Sequence, residues 1–166
     1  MTIGMLTKVK KSKPSRVSNA RFAIVASKYN AEYVDAMLSA ADATLRSAGA
    51  ADVRVVRVPG AYEVPVVAAR LARSKSPRYA AVICLGVILR GETTHAQHIG
   101  EAVSQALALI QVETEVPVIH EVLLLENRQQ AEVRCLDKDH NRGLEAAQTA
   151  MEMARIMASL DGKRGA

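Results

Sequence analysis

The stretch AAVICLGVIL (80–89) is apolar from end to end and runs straight into RGETTH (90–95). A half-exposed strand would alternate apolar and polar residues, and this one does not. Unbroken apolarity marks a strand covered on both faces, as in a parallel sheet flanked by helices. Working outward from it, RFAIVA (21–26) predicts a strand, and residues 31–48 repeat apolar side chains at helical spacing up to Gly49. Residues 53–58 are β-branched and stop at Pro59-Gly60, so they predict a strand and a turn. Residues 64–74 predict a helix that tolerates Pro65 in its first turn. Residues 93–112 predict a longer helix, 117–124 a fourth strand, 127–133 a short helix and 141–160 a long one. The order is β-α-β-α-β-α-β-α-α, which implies a parallel sheet with helices on both faces. Such sheets bind ligands outside the carboxyl ends of their strands. Residues 27–30, 59–63, 86–95 and the segment after Leu124 are therefore the places to look for chemistry.

The chain has 166 residues and a mass of 17.8 kDa, which suits one domain. Apolar residues make up 49% and charged residues 23%, so disorder, collagen and repeat arrays fit poorly. Aromatics are only 3%, while alanines number 28, so the core is expected to consist of small aliphatics around closely packed helices. The net charge of +5 invites a nucleic-acid reading, but it is unevenly placed. Residues 1–21 hold Lys8, Lys10, Lys11, Lys13, Arg16 and Arg21 with no acid, and the remaining residues sum to −1. The expected organisation is a flexible basic arm over 1–19, one folded domain over 20–160 and a tail over 161–166. No uninterrupted apolar stretch reaches the ~18 residues of a membrane-spanning helix, and the N-terminus lacks an apolar signal core. Cys84 and Cys135 show no CxxC spacing and fit a reducing, cytoplasmic compartment.

In the third loop a buried strand passes through Gly91 into a helix starting near Thr93 or Thr94. Free amides at a helix start bind anions, so Glu92 and Thr93 can hold a phosphate. The same pattern also describes an ordinary strand-to-helix turn capped by threonine, and it is not the Walker or dinucleotide glycine pattern. His95, in the first turn, is either a general acid–base or a capping histidine. His98 and Glu101 follow, but His at i and i+3 is not the zinc-protease spacing, and no metal is expected. In PGAYEVP (59–65), two prolines and a glycine hold Tyr62 and Glu63. Glu63 can accept hydrogen bonds from a polyol or from amides, or simply complement a helix start. Tyr29 can stack on a flat heterocycle or merely cover the sheet end. Arg134, Lys138 and Arg142 gather before the last helix, as a phosphate site or as a solvated basic turn.

Together PGAYEVP (59–65), GVILRGETTH (86–95), PVI (117–119) and EN…R…K…NRG (126–143), leading into EAAQTAMEMA (145–154), resemble the 6,7-dimethyl-8-ribityllumazine synthase family of riboflavin biosynthesis. The resemblance covers roughly residues 20–160. It implies a flavodoxin-like three-layer α/β/α sandwich with a four-stranded parallel sheet, assembled as homopentamers and in some members as a hollow icosahedral shell of twelve. It implies a transferase that condenses 5-amino-6-ribitylamino-uracil with 3,4-dihydroxy-2-butanone 4-phosphate, releases phosphate and water, and uses no cofactor or metal. Active sites are implied between neighbouring subunits, with riboflavin synthase as a further partner and neither nucleic acid nor membrane bound. By position, Tyr29 corresponds to the aromatic stacked on the pyrimidine, with Asn30 beside it. Ala61, Tyr62 and Glu63 correspond to the ribityl-binding segment, and Ile88 and Leu89 to backbone contacts with the pyrimidine. Glu92 and Thr93 correspond to the phosphate-holding amides and Arg134 to the phosphate-binding arginine. His95 corresponds to the proton-moving histidine, and Lys138 to a lysine supplied by the neighbouring subunit.

The chain departs from the family pattern in places. His120 stands where many relatives carry Phe against the substrate ring, which would let it hydrogen-bond that ring. Leu124 and Leu125 replace hydroxyl residues, Ala96 and Gln97 an aromatic–acidic pair, and Arg142 a lysine; Glu92 adds a negative charge. These departures leave room for a flavin-binding or shell-forming paralogue, while Arg134 and GETTH separate the chain from the related pentameric riboflavin synthases. A nucleic-acid binder would need a basic face or aromatic platforms that the body lacks. In a gel-shift assay with random duplex DNA, deleting residues 1–19 is therefore expected to remove any shift; a persistent shift would place the cations on the folded body.

Overall fold

The computed structural model describes residues 18–162. Residues 1–17 of the expected arm and 163–166 of the expected tail lie outside them. Four parallel strands, β1 (Arg21–Ser27), β2 (Asp52–Val58), β3 (Ala81–Leu89) and β4 (Val118–Leu125), form one sheet in the order β2-β1-β3-β4. The helices are α1 (Ala31–Ser47), α2 (Val64–Ala72), α3 (His95–Thr114), α4 (Arg128–Ala131) and α5 (Arg142–Asp161).

Residues 81–88 of β3 are buried without exception, because β1 and β4 flank the strand and helices cover both its faces. Alternate residues divide between two cores. Ile83, Leu85 and Val87 face α1 and α5, while Val82, Cys84 and Ile88 face α2 and α3. The result is the three-layer α/β/α sandwich, with flavodoxin-like strand order. The edge strands are buried only in part, as β2 and β4 show.

The expected elements are all present, with ends displaced by one or two residues. The exception is the segment before the last helix. The short helix expected over 127–133 is a four-residue α4 that continues as a π-helical turn, Glu132–Leu136. Arg134 therefore sits on a helical turn rather than in a loop. Cys135 is fully buried in the core beneath this turn. The Asn141 side chain donates to its carbonyl at 2.5 Å and accepts from Gly143 N–H at 2.8 Å, so it both anchors the turn and caps α5.

The alanine content has a visible use where α5 packs on α1. Ala146, Ala147 and Ala150 are fully buried there. At Gly143 the two backbones nearly touch, and a Cβ would lie 1.9 Å from the Met37 carbonyl oxygen. No rotamer relieves a clash with backbone. Gly143→Ala is expected to cost about 3 kcal/mol, the upper part of the range for overpacking. The readout is a lowered urea midpoint with an unchanged slope.

Candidate active site

The carboxyl ends of β1, β2 and β3 open into a cleft of about 710 Å³. Tyr29 and Asn30 line it from β1, Gly60 to Glu63 from β2, Val87 to Leu89 from β3, and His95, His98, Ile99 and Ala102 from α3. It lies where β1 has neighbours on both sides, the switch point at which such sheets bind ligands.

Backbone contacts hold the first two loops together. Lys28 N–H donates to the Val58 carbonyl at 2.8 Å, and Tyr29 N–H to the Pro59 carbonyl at 3.2 Å. Asn30 adopts a left-handed conformation at φ 55°, which asparagine tolerates better than most residues. Its side chain donates to the Val87 carbonyl at 2.8 Å, tying the start of α1 to the end of β3. The sequence marked Asn30 only as a neighbour of Tyr29, and the structure makes it the strut between two loops. Tyr29 and Tyr62 remain 72% and 63% exposed, so two of the chain's few aromatics offer open ring faces to the cleft.

Gly60 is closely surrounded. A Cβ there would lie 2.9 Å from a Glu63 carboxylate oxygen and 3.2 Å from the Tyr29 ring. The Glu63 carboxylate accepts from Gly60 N–H at 2.8 Å, so it caps the single 3-10 turn Ala61–Glu63. Of the two readings of Glu63, the amide acceptor is the one realised within the chain, and a second oxygen remains to accept from a ligand.

Helix α3 begins at His95, with Thr94 at its N-cap. The Thr94 side chain makes no capping bond, and Thr93 Oγ1 accepts only a long 3.4 Å bond from His95 N–H. Glu92 and Thr93 are exposed, and their amides donate to no acceptor among the described residues. Those amides are therefore open to an anion. Along α3, His95, His98 and Ala102 face the cleft, while Gln97, Glu101 and Ser104 face a second depression against β4. Glu101 accepts from Gln97 Nε2 at 2.8 Å on that far side, so it does not converge with His95 and His98.

His120, Arg134 and Lys138 are not among the residues lining this cleft. His120 is on edge strand β4, across α3 from the cleft. Its Nδ1 accepts from Val122 N–H at 3.2 Å, and its Nε2 lies 2.8 Å from Ser104 Oγ. Ser104 Oγ in turn donates to the Gly100 carbonyl at 2.7 Å. An Nδ1 that accepts leaves the proton on Nε2, so the ring is neutral and donates to Ser104. Burial lowers its pKa and favours that form. Both ring nitrogens thus have partners within the chain.

Arg134 lies on the π turn that packs on the α1–α5 core, so the sheet stands between it and the α2–α3 side of the cleft. It makes no hydrogen bond or ion pair among the described residues. Arg142, by contrast, pairs with Glu145. Lys138 is exposed in the turn where Asp137 accepts from Asp139 N–H at 2.7 Å. That bond, with the His140 contact, holds the Asp137 carboxyl below its ordinary value. The sequence reading passed over Glu121. Burial pushes its carboxyl up to about 7; Arg142 and Arg134 oppose the shift and Glu145 adds to it.

The similarity to known proteins covers nearly the whole described chain. The family model for 6,7-dimethyl-8-ribityllumazine synthase matches residues 19–158. The protein of that name from Xylella fastidiosa (strain 9a5c) is 40% identical over 147 residues, 87% of this chain and 94% of its own length. The one from Stenotrophomonas maltophilia (strain R551-3) is 39% identical over 144 residues, 86% of this chain and 92% of its own. At this identity and coverage the chain belongs to the 6,7-dimethyl-8-ribityllumazine synthase family.

Proposed function

We propose that the protein condenses 5-amino-6-ribitylamino-uracil with 3,4-dihydroxy-2-butanone 4-phosphate to give 6,7-dimethyl-8-ribityllumazine, phosphate and water. Family membership supports the coarser role, a transferase of riboflavin biosynthesis. The observation that carries the finer one is the convergence of Tyr29, Tyr62, Glu63, Ile88 and His95 on a single cleft. An exposed tyrosine ring beside the apolar Ile88 suits a flat heterocycle, and Glu63 beside Tyr62 suits a polyol.

The chemistry needs few groups. The amine of the uracil attacks the butanone carbonyl, and water leaves as the imine forms. His95, exposed at the cleft, is placed to move protons in these steps and in the loss of phosphate. The open amides of Glu92 and Thr93 and the cation of Arg134 offset charge on the departing phosphate. Holding two substrates side by side supplies much of the remaining acceleration.

Arg134 and the cleft lie on opposite sides of the sheet, so this reading requires that a neighbouring copy bring its Arg134, Lys138 and His120 to the cleft. A homo-oligomer, the pentamer or the shell of pentamers, supplies that neighbour. Val66, Leu109 and Val112 on α2 and α3 are large apolar side chains left exposed on one copy, as an association surface would require. The reading carries a cytoplasmic location, consistent with two free, buried cysteines.

Mixing both substrates with the protein is expected to develop the lumazine absorbance faster than the spontaneous reaction; a rate equal to background would overturn the proposal. Replacing Arg134 with Ala should raise KM for the butanone phosphate roughly tenfold or more and change KM for the uracil little, since one charge-assisted phosphate contact is lost. Tight flavin binding without turnover would instead favour a binding role.

A further inference from the structure

The amides of Glu92 and Thr93 sit in a loop with few ties to the rest of the molecule. Residues 90–94 are exposed, and a Cβ on Gly91 would meet nothing within 4 Å. Within the loop, Thr93 Oγ1 accepts only the long bond from His95 N–H, and the Thr94 carbonyl is taken up by the first turn of α3. The hydrogen bonds and ion pairs that tie this loop to other elements, among the described residues, are all made by Arg90. Its N–H extends the β3–β4 ladder by donating to the Leu125 carbonyl at 2.8 Å. Its Nε donates to a Glu126 carboxylate oxygen at 2.9 Å, and the second oxygen of that carboxylate is equally close. Glu126 is fixed in turn. Its N–H donates to Gln130 Oε1 at 3.0 Å, and Gln130 N–H donates to Asn127 Oδ1 at 2.9 Å, at the start of α4. The ion pair thus straps the loop after β3 to the segment after β4.

Arg90 faces the depression between α3 and β4, with Gln97 and Glu101, and is not among the residues lining the cleft. Glu101 is bonded there to Gln97, which leaves Glu126 as the acid paired with Arg90. We propose that Arg90 is a positioning residue for the phosphate-binding loop: its pair with Glu126 holds the Glu92 and Thr93 amides in place for the phosphate, and its own charge is not the counter-charge. The proposal rests on the reading of those amides as part of the phosphate site. A loop fixed before the ligand arrives loses less conformational freedom on binding. Both partners are partly exposed, and such a pair contributes little to global stability, so its loss falls on the loop. Two roles for Arg90 then predict opposite signs. If Arg90 bound the phosphate itself, removing Glu126 would release its cation and tighten binding. If it acts through the pair, losing either partner loosens the loop and weakens binding alike.

The test uses the assembled protein and the variants Arg90→Ala, Glu126→Ala and the double replacement. Sulfate affinity and the KM of each substrate are the readouts. Each single replacement should weaken sulfate binding and raise KM for the butanone phosphate roughly two- to fivefold, the scale set by one exposed ion pair. KM for the uracil and the urea midpoint should change little. The double replacement should be no worse than the more damaging single one, because both act through one pair. Unchanged sulfate binding in the single variants, tighter binding in Glu126→Ala, or additive losses in the double variant would overturn the proposal. So would equal rises in both KM values with a lowered urea midpoint. If the wild type shows no condensation but sulfate binding follows this pattern, the functional reading falls and the positioning role stands. If condensation proceeds and the pattern fails, the positioning role falls and the functional reading stands. Absence of both condensation and sulfate binding would remove the phosphate reading and this proposal together.

Discussion

The constraint on which the molecule depends is that β3 has no free face. It bonds to β1 and β4 along its edges and is covered above and below, so residues 81–85 are fully buried and only its carboxyl end reaches the cleft. Each large aliphatic buried there contributes roughly 1.5–3 kcal/mol, and admitting a ligand along the strand would forfeit it. Two helical layers are obligatory, and the only positions left to meet a ligand are the strand ends. Tyr29, the Gly60–Glu63 turn and His95 all follow directly from such ends. What differs among them is how rigidly each is held: by Asn30 to β3, by Glu63 to Gly60, and by the start of α3.

This explains what could be read from the sequence. The strands and long helices were legible because burial imposes a period, or in β3 removes one. The cleft was legible because parallel sheets bind at strand ends, and Tyr29, Asn30, Ala61, Tyr62, Glu63, Ile88, Leu89 and His95 do line one cleft. The π turn was not legible. Glu132–Leu136 has an ordinary helical composition, and what accompanies its wider π course is tertiary: Cys135 in the core and Asn141 bonded to its carbonyl. Glu121 was missed for a related reason. In HEVLLL it reads as a polar residue on an edge strand, and the groups that act on it lie 13, 21 and 24 positions later in the chain. Gly60 read as a turn glycine, whereas its role is to let Tyr29 and Glu63 approach the backbone.

The placement of charge carries the argument one step further. Among the residues lining the cleft there is no Lys or Arg, and the one acid, Glu63, is engaged by a backbone amide. The start of α3, at His95, adds a helix end worth about half a positive charge. Arg134, a cation without an ion pair among the described residues, is on the α1–α5 side of the sheet. On the proposed reading, the counter-charge to a phosphate in the cleft comes from the Arg134 of another copy. Substrate binding and association then draw on the same interaction, so a ligand bound across two copies stabilises the assembly by mass action. An unpaired arginine on one copy is tolerable because it is partly exposed.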